Sequence, residues 1–160
     1  MLEIAARLDK SDLDLQLIFI CGRNERLARV LRGKKNRLRF FVEGFSAQIP
    51  YYMSLSDFFI GKPGPGSLSE ALLMKLPVIV ERNGRTLPQE RFNAEWIVDK
   101  QVGIVLSSFR SIERAVEEML SAANLELYRA NAAALNNRAV FECEEILRRI
   151  AEAKQMQAIV

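Results

Sequence analysis

Histidine is missing from this chain altogether. Its absence removes the usual general base near neutral pH and the commonest metal ligand, so any acid–base chemistry must use carboxylates or come from another polypeptide. Cysteine is scarce: Cys21 and Cys143 stand far apart, without Cys-x-x-Cys spacing, and read as buried or incidental thiols. No apolar run approaches the roughly 20 residues needed to cross a bilayer, and the opening MLEIAARLDK is no signal peptide, so a cytoplasmic location is expected. Charge imbalance is small as well. A net charge of +3 is too modest to argue for nucleic acid, and no nucleic-acid partner is expected.

What is present fits an ordinary globular protein. The 160 residues suffice for one domain with a real core, read here as a sheet with helices over about 1–107 followed by C-terminal helices over about 108–155. Leu2, Ile4, Ala5 and Leu8 have the spacing of a short amphipathic helix. Leu15 to Cys21 is a nearly continuous apolar run, the pattern of a strand covered on both faces of a parallel sheet. Asn24 is positioned to cap a helix carrying Leu27, Val30 and Leu31, and Leu38 to Val42 reads as a second strand. Ser46 can cap a short helix over Ala47 to Leu55. Gly103 to Leu106 reads as a last strand, and helical patterns follow, broken at Asn124 and at Asn136-Asn137.

The stretch from Asp57 to Val80 organises the rest. An apolar run, Phe58 to Ile60, breaks at Gly61 and crosses a Gly/Pro bend (Pro63, Gly64, Pro65, Gly66). A helical pattern starts at Ser67, and a second apolar run, Val78 to Val80, follows. This is strand, glycine loop, helix, strand. Such a bend suits an anion, because the first N–H groups of a helix lack intrahelical partners and sit at its positive end. The expected donors are the amides of Gly64, Gly66, Ser67 and Leu68, while Pro63 and Pro65 restrict the loop. It is neither a Walker loop nor GxGxxG. Glu70 has two readings at this point: a ligand for something held at the bend, or the second half of a Ser67-x-x-Glu70 capping box.

Two further loops follow the carboxyl ends of strands, where ligands collect in open α/β sheets. Glu43-Gly44-Phe45 comes first, with Phe45 either bordering a base-binding pocket or part of the core. Glu81 to Leu87 comes second and leads into a helix in which Phe92, Trp96 and Ile97 are expected inward. Gln89, Glu90 and Asn93 offer the amides and carboxylate that sugar hydroxyls demand, unless Gln89 only completes a capping box with Thr86. Arg23, Arg26, Arg29, Arg32, Lys34, Lys35, Arg37 and Arg39 gather against a single acid, Glu25. Such a cluster either is a solvated face or rests on an anionic membrane surface.

Taken together, these segments resemble the C-terminal, donor-binding half of GT-B glycosyltransferases of family 28. The similarity runs from about Leu15 to Leu106. It is greatest towards the monogalactosyldiacylglycerol synthase and diacylglycerol glucosyltransferase branch, through Cys21-Gly22-Arg23-Asn24 with Leu27 and through Lys62 to Ser67 with Glu70-Ala71. The resemblance implies a Rossmann-like parallel sheet flanked by helices, and a UDP-sugar as donor with no other cofactor and no metal. By position Gly64, Pro65, Gly66 and Ser67 would meet the diphosphate, Glu70 the ribose, the Phe45 loop the uracil, and Gln89, Glu90 and Asn93 the hexose. The family's first strand and its glycine-rich loop have no counterpart here. Nor does the N-terminal domain that binds the acceptor and is expected to supply the catalytic base. The expected activity is therefore hexosyl transfer to a diacylglycerol-type lipid, with the acceptor domain supplied from elsewhere and the isolated chain inactive. Two alternatives are a soluble donor subunit of a two-chain N-acetylglucosaminyltransferase and a non-catalytic nucleotide-binding module.

Overall fold

The structure is a computed structural model that describes residues 1–135 and 139–157. The expected break at Asn136-Asn137 lies outside the described residues. In chain order the elements are α1 (Leu2–Leu8), β1 (Gln16–Ile20), α2 (Glu25–Arg32), β2 (Arg39–Glu43), α3 (Ile49–Ser54), β3 (Phe59–Gly61) and α4 (Pro65–Leu73). They continue with β4 (Val78–Glu81), α5 (Pro88–Asp99), β5 (Gly103–Leu106), α6 (Ile112–Leu120), α7 (Ala122–Ala134) and α8 (Ala139–Gln157). Every strand pairing is parallel, as the helix-separated apolar runs require. The sheet comes in two pieces, β1-β2 and β3-β4-β5.

Strand β4 shows why an uninterrupted apolar run is needed. Val78 and Val80 join Leu68, Ala71, Ile97, Val102 and Ala132 in one core, while Ile79 points the other way into a second core with Ile4, Leu8, Ile112, Val116 and Met119. Val78, Ile79 and Val80 are fully buried because helices cover both faces. At the β1-β2 pair, Phe19, Cys21, Ala28 and Leu31 form a third core with Ala5. Ile18 and Ile20, on the opposite face, are only half-buried, so β1 is not covered on both sides as its sequence suggests.

Two helix ends aim the chain back into the sheet. After α4, Lys75 takes a left-handed conformation (φ 61°), its N–H donating to Leu72 O while the Leu76 N–H donates to Ala71 O at 2.9 Å. After α5, Gln101 (φ 49°) and Val102 repeat the pattern onto Val98 and Ile97. Both are Schellman endings, with the apolar residue that follows, Leu76 or Val102, buried against the core.

Several local expectations need correction. Strands β1 and β2 run 16–20 and 39–43. Helix α3 starts at Ile49, and Ser46 accepts from the Gln48 N–H instead of capping it. The break between α6 and α7 falls at Ser121. Asn124 lies in α7, and its amide donates to Glu118 O at the end of α6. Phe92 is 67% exposed, whereas Ile97 is buried and Trp96 half-buried against the core as expected, and Ala94 completes the buried stripe of α5. Asn24 does cap α2, accepting from the Leu27 N–H at 3.0 Å. Cys21 is buried and Cys143 exposed; burial pushes the Cys21 thiol pKa up.

Candidate donor-binding site

Helix α4 begins two residues earlier than expected. Gly64 is its N-cap and Pro65 its first residue, where a missing N–H costs no helical hydrogen bond. The Leu68 N–H donates to Gly64 O at 3.1 Å, the first bond of the helix, which takes Leu68 off the set of available donors. The amides of Gly66 and Ser67 have no partner among the described residues and lie at the positive end of the helix. Gly66 is exposed, with open space on the side where a Cβ would stand, and Pro63 is buried beneath the bend. No side chain among the described residues accepts a hydrogen bond from these two amides.

The Ser67–Glu70 capping box does not form. Ser67 is the third helical residue instead of the cap, and its hydroxyl donates to Gly64 O at 3.3 Å. Glu70 sits in the second turn, exposed, and its carboxylate makes no hydrogen bond among the described residues. Its four-residue spacing from Gly66 places it on the same face of α4 as the unpartnered amide.

Helix α5 fastens the bend from the side. The Asn93 amide donates to Pro63 O at 2.8 Å, and the Glu90 carboxylate lies 3.8 Å from where a Gly64 Cβ would be. Gly64, Ser67, Glu90 and Asn93 are thus brought together, and Asn93 has one amide hydrogen committed to the fold. Gln89 is exposed in the first turn. The second capping box is also absent, because Thr86 accepts from the Asn83 N–H at 2.8 Å and Leu87 is the N-cap.

Phe45 is not core. It is 70% exposed on the loop after β2, with the Arg23 guanidinium 5.2 Å above its ring. Strand β2 ends in Glu43, whose carboxylate accepts from the Gly44 N–H at 2.8 Å and from the Tyr52 hydroxyl at 2.9 Å. These bonds, with Arg32 nearby, hold the Glu43 carboxyl below its ordinary pKa. The same bond to Glu43 pushes the Tyr52 phenol up. The Phe45 loop is thereby pinned at its root.

The glycosyltransferase family 28 C-terminal domain matches residues 1–150. This chain belongs to that family. It is 32% identical over 145 residues to the probable monogalactosyldiacylglycerol synthase 3, chloroplastic, of Oryza sativa subsp. japonica, covering 91% of this chain and 28% of that protein. Against monogalactosyldiacylglycerol synthase 2, chloroplastic, of Arabidopsis thaliana it is 34% identical over 112 residues, covering 70% of this chain and 24% of that protein. The chain thus spans about a quarter of the length of these relatives. The solved structure of the glycotransferase of kitacinnamycin superposes with a TM-score of 0.53 at 21% identity, over 74% of this chain and 31% of that one. That likeness supports the GT-B C-terminal fold.

The basic cluster of this family 28 domain is partly structural. Arg32 donates twice to Val42 O, and Arg37 donates to the carbonyls of Asp9, Ser11 and Leu13. Arg23, Arg26, Arg29, Lys34, Lys35 and Arg39 are exposed and meet no carboxylate among the described residues. No helix among the described residues is long and apolar enough to cross a membrane. Sequence reasoning missed the Arg23–Phe45 stack and the Glu43–Tyr52 bond. Its one available signal was the placement of Arg23 and Phe45 each just past a strand end.

Proposed function

We propose that this chain is the donor-binding half of a glycosyltransferase that moves a hexose from a UDP-sugar to a lipid acceptor of the diacylglycerol type, working with an acceptor-binding domain supplied from elsewhere. The observation that carries the reading is the pair of unpartnered amides at Gly66 and Ser67, at the start of α4 on the carboxyl edge of a parallel sheet. Each hydrogen bond from such an amide to a charged phosphate oxygen contributes about 1.5–3 kcal/mol. When the glycosidic bond to the diphosphate breaks, negative charge grows on the departing UDP. Fixed amides and the helix dipole stabilise that charge without reorganising, so they act on the transition state more than on the bound donor.

The other roles follow from placement. Glu70, with no other partner, accepts from the ribose hydroxyls one turn along α4. Phe45, held under Arg23, borders the uracil. Gln89, Glu90 and the remaining acceptor of Asn93 meet the hexose. The exposed cations between Arg23 and Arg39 attract an anionic membrane surface where a lipid acceptor resides.

Calorimetric titration of the chain with UDP, before and after Glu70→Ala, tests donor binding. Binding that weakens in the variant supports the assignment, and identical heats remove the ribose role. Combining the chain with an acceptor domain and assaying transfer from UDP-hexose separates the transferase from a non-catalytic module. UDP binding with no transfer in any such combination favours the module.

A further inference from the structure

The outer edge of the β1-β2 pair is built to reject another strand. The Cys21 N–H donates to Glu43 O at 2.8 Å, so the backbone groups of Glu43 face β1 and, by alternation along a parallel strand, those of Phe40 and Val42 face outward. Arg32 covers that edge, donating through Nε and a terminal nitrogen to Val42 O at 3.2 and 2.8 Å. A charged side chain laid over an unpaired edge blocks pairing with a further strand. An open hollow of about 350 Å³ lies at the same edge, with Arg32, Lys34, Leu38 and Phe41 in its lining. Cations and an exposed aromatic ring therefore share one surface.

That surface continues onto the half-covered face of the pair. Arg39 and Phe41 lie two residues apart on this face of β2, and Ile18 stands beside Phe41 in register, half-buried. Phe41 packs on Tyr52 with ring centroids 5.7 Å apart, and Tyr52 on Tyr51 at 5.6 Å. Leu55 follows Tyr51 by four positions at the end of α3 and shares its side of the helix. Phe41, Tyr51 and Leu55 are each more than half exposed. Glu43, the acid on this face of β2, has its carboxylate held by the Gly44 N–H and the Tyr52 hydroxyl. Lys34, Lys35 and Arg39 are exposed and meet no carboxylate among the described residues. Exposed rings among unpaired cations match the boundary of an anionic bilayer, where aromatic side chains settle at the headgroup level and cations meet lipid phosphates.

We infer that the outer edge of β2, with Lys34, Lys35 and Arg39 around Phe41, Tyr51 and Leu55, docks on an anionic lipid bilayer with its aromatic rings in the headgroup layer. The inference rests on the lipid-acceptor reading for the presence of a membrane and names the part of the chain that meets it. The test is co-sedimentation of the whole chain with vesicles of phosphatidylcholine alone and of phosphatidylcholine mixed with phosphatidylglycerol, each at low and high salt. Wild type is compared with Phe41→Ser, Tyr51→Ser, Lys34→Ala and Val98→Ser, with circular dichroism confirming each fold and UDP titrated in parallel. Val98, an exposed apolar residue of α5, controls for general stickiness. The expected result is binding to the anionic vesicles at least about tenfold tighter than to phosphatidylcholine alone, weakened about fivefold by Lys34→Ala at low salt. Phe41→Ser and Tyr51→Ser each weaken it about fivefold at both salt concentrations, because salt screens the cations and not the rings. Val98→Ser leaves it unchanged. No binding to anionic vesicles, or binding abolished by high salt and indifferent to Phe41→Ser, overturns the inference. So does a dimer in sedimentation velocity that Phe41→Ser dissociates, which would make this face a contact between copies. UDP binding without vesicle binding overturns this inference alone, and vesicle binding without UDP binding upholds it while removing the donor reading.

Discussion

Replacing Ser67 with proline removes one amide N–H from the start of α4 and leaves every helical hydrogen bond in place. Ser67 is the third residue of the helix, and the first backbone bond of the helix comes from Leu68. Proline is accepted in a first turn because its missing N–H has no helical partner to lose. Ser67→Ala is the matched control: it keeps the amide and loses only a hydroxyl that donates within the bend, to Gly64 O at 3.3 Å. If the amide holds a charged phosphate oxygen, its loss costs about 1.5–3 kcal/mol, or roughly 10- to 150-fold in the Kd for UDP. The alanine variant, deprived of one long neutral bond, should change by less than about fivefold. Titration calorimetry of both variants, with circular dichroism to confirm the helix, measures the difference. Proline and alanine variants of equal affinity would refute the assignment of this amide to the diphosphate.

Three other expectations rest on local geometry. Lys75→Gly and Gln101→Gly relieve side chains held in left-handed backbone and should each stabilise the fold by about 0.5–1 kcal/mol, raising Tm by about 1–4 °C; a fall in Tm would contradict the Schellman reading. Gly103→Ala would put a Cβ 1.9 Å from Val78 O, so β4 and β5 must separate, at about 1–3 kcal/mol; an unchanged Tm on thermal unfolding would refute that close approach. Because the folded-state pKa of Glu43 is lowered, its bonds to Gly44 and Tyr52 contribute stability above the ordinary carboxylate value of 4.5, and that contribution fades as pH falls through the folded value. The Tm gap between wild type and Glu43→Gln should therefore close as the pH is taken from 7 to 3, and a constant gap would remove Glu43 as its source.

Much of the architecture was legible because burial on both faces leaves an unmistakable run. Val78-Ile79-Val80 is apolar throughout since its residues alternate between two cores, and each parallel strand is followed by a helix. The half-covered β1 carries the same kind of run, so composition alone could not tell it from β4. The start of α4 was misplaced because Gly64-Pro65 was read as a loop breaker, although glycine at the N-cap and proline at the first position open a helix as readily. That shift of two residues converted Ser67 from a cap to a third helical residue and left Glu70 without its capping role. Of the three α5 residues read inward, Trp96 and Ile97 pack on the core and only Phe92 faces out. The ties that assemble the site, Asn93 to Pro63 and Arg23 over Phe45, join residues 30 and 22 positions apart, and no local pattern announces them.

The most direct measurement is the heat of binding of UDP to the wild-type chain, compared under the same conditions with UMP and uridine. If the Gly66 and Ser67 amides hold a diphosphate, UDP binds, UMP binds at least tenfold more weakly, and uridine more weakly again. Equal affinity for UDP and UMP, or no heat with UDP at saturating concentration, would contradict the account at its centre.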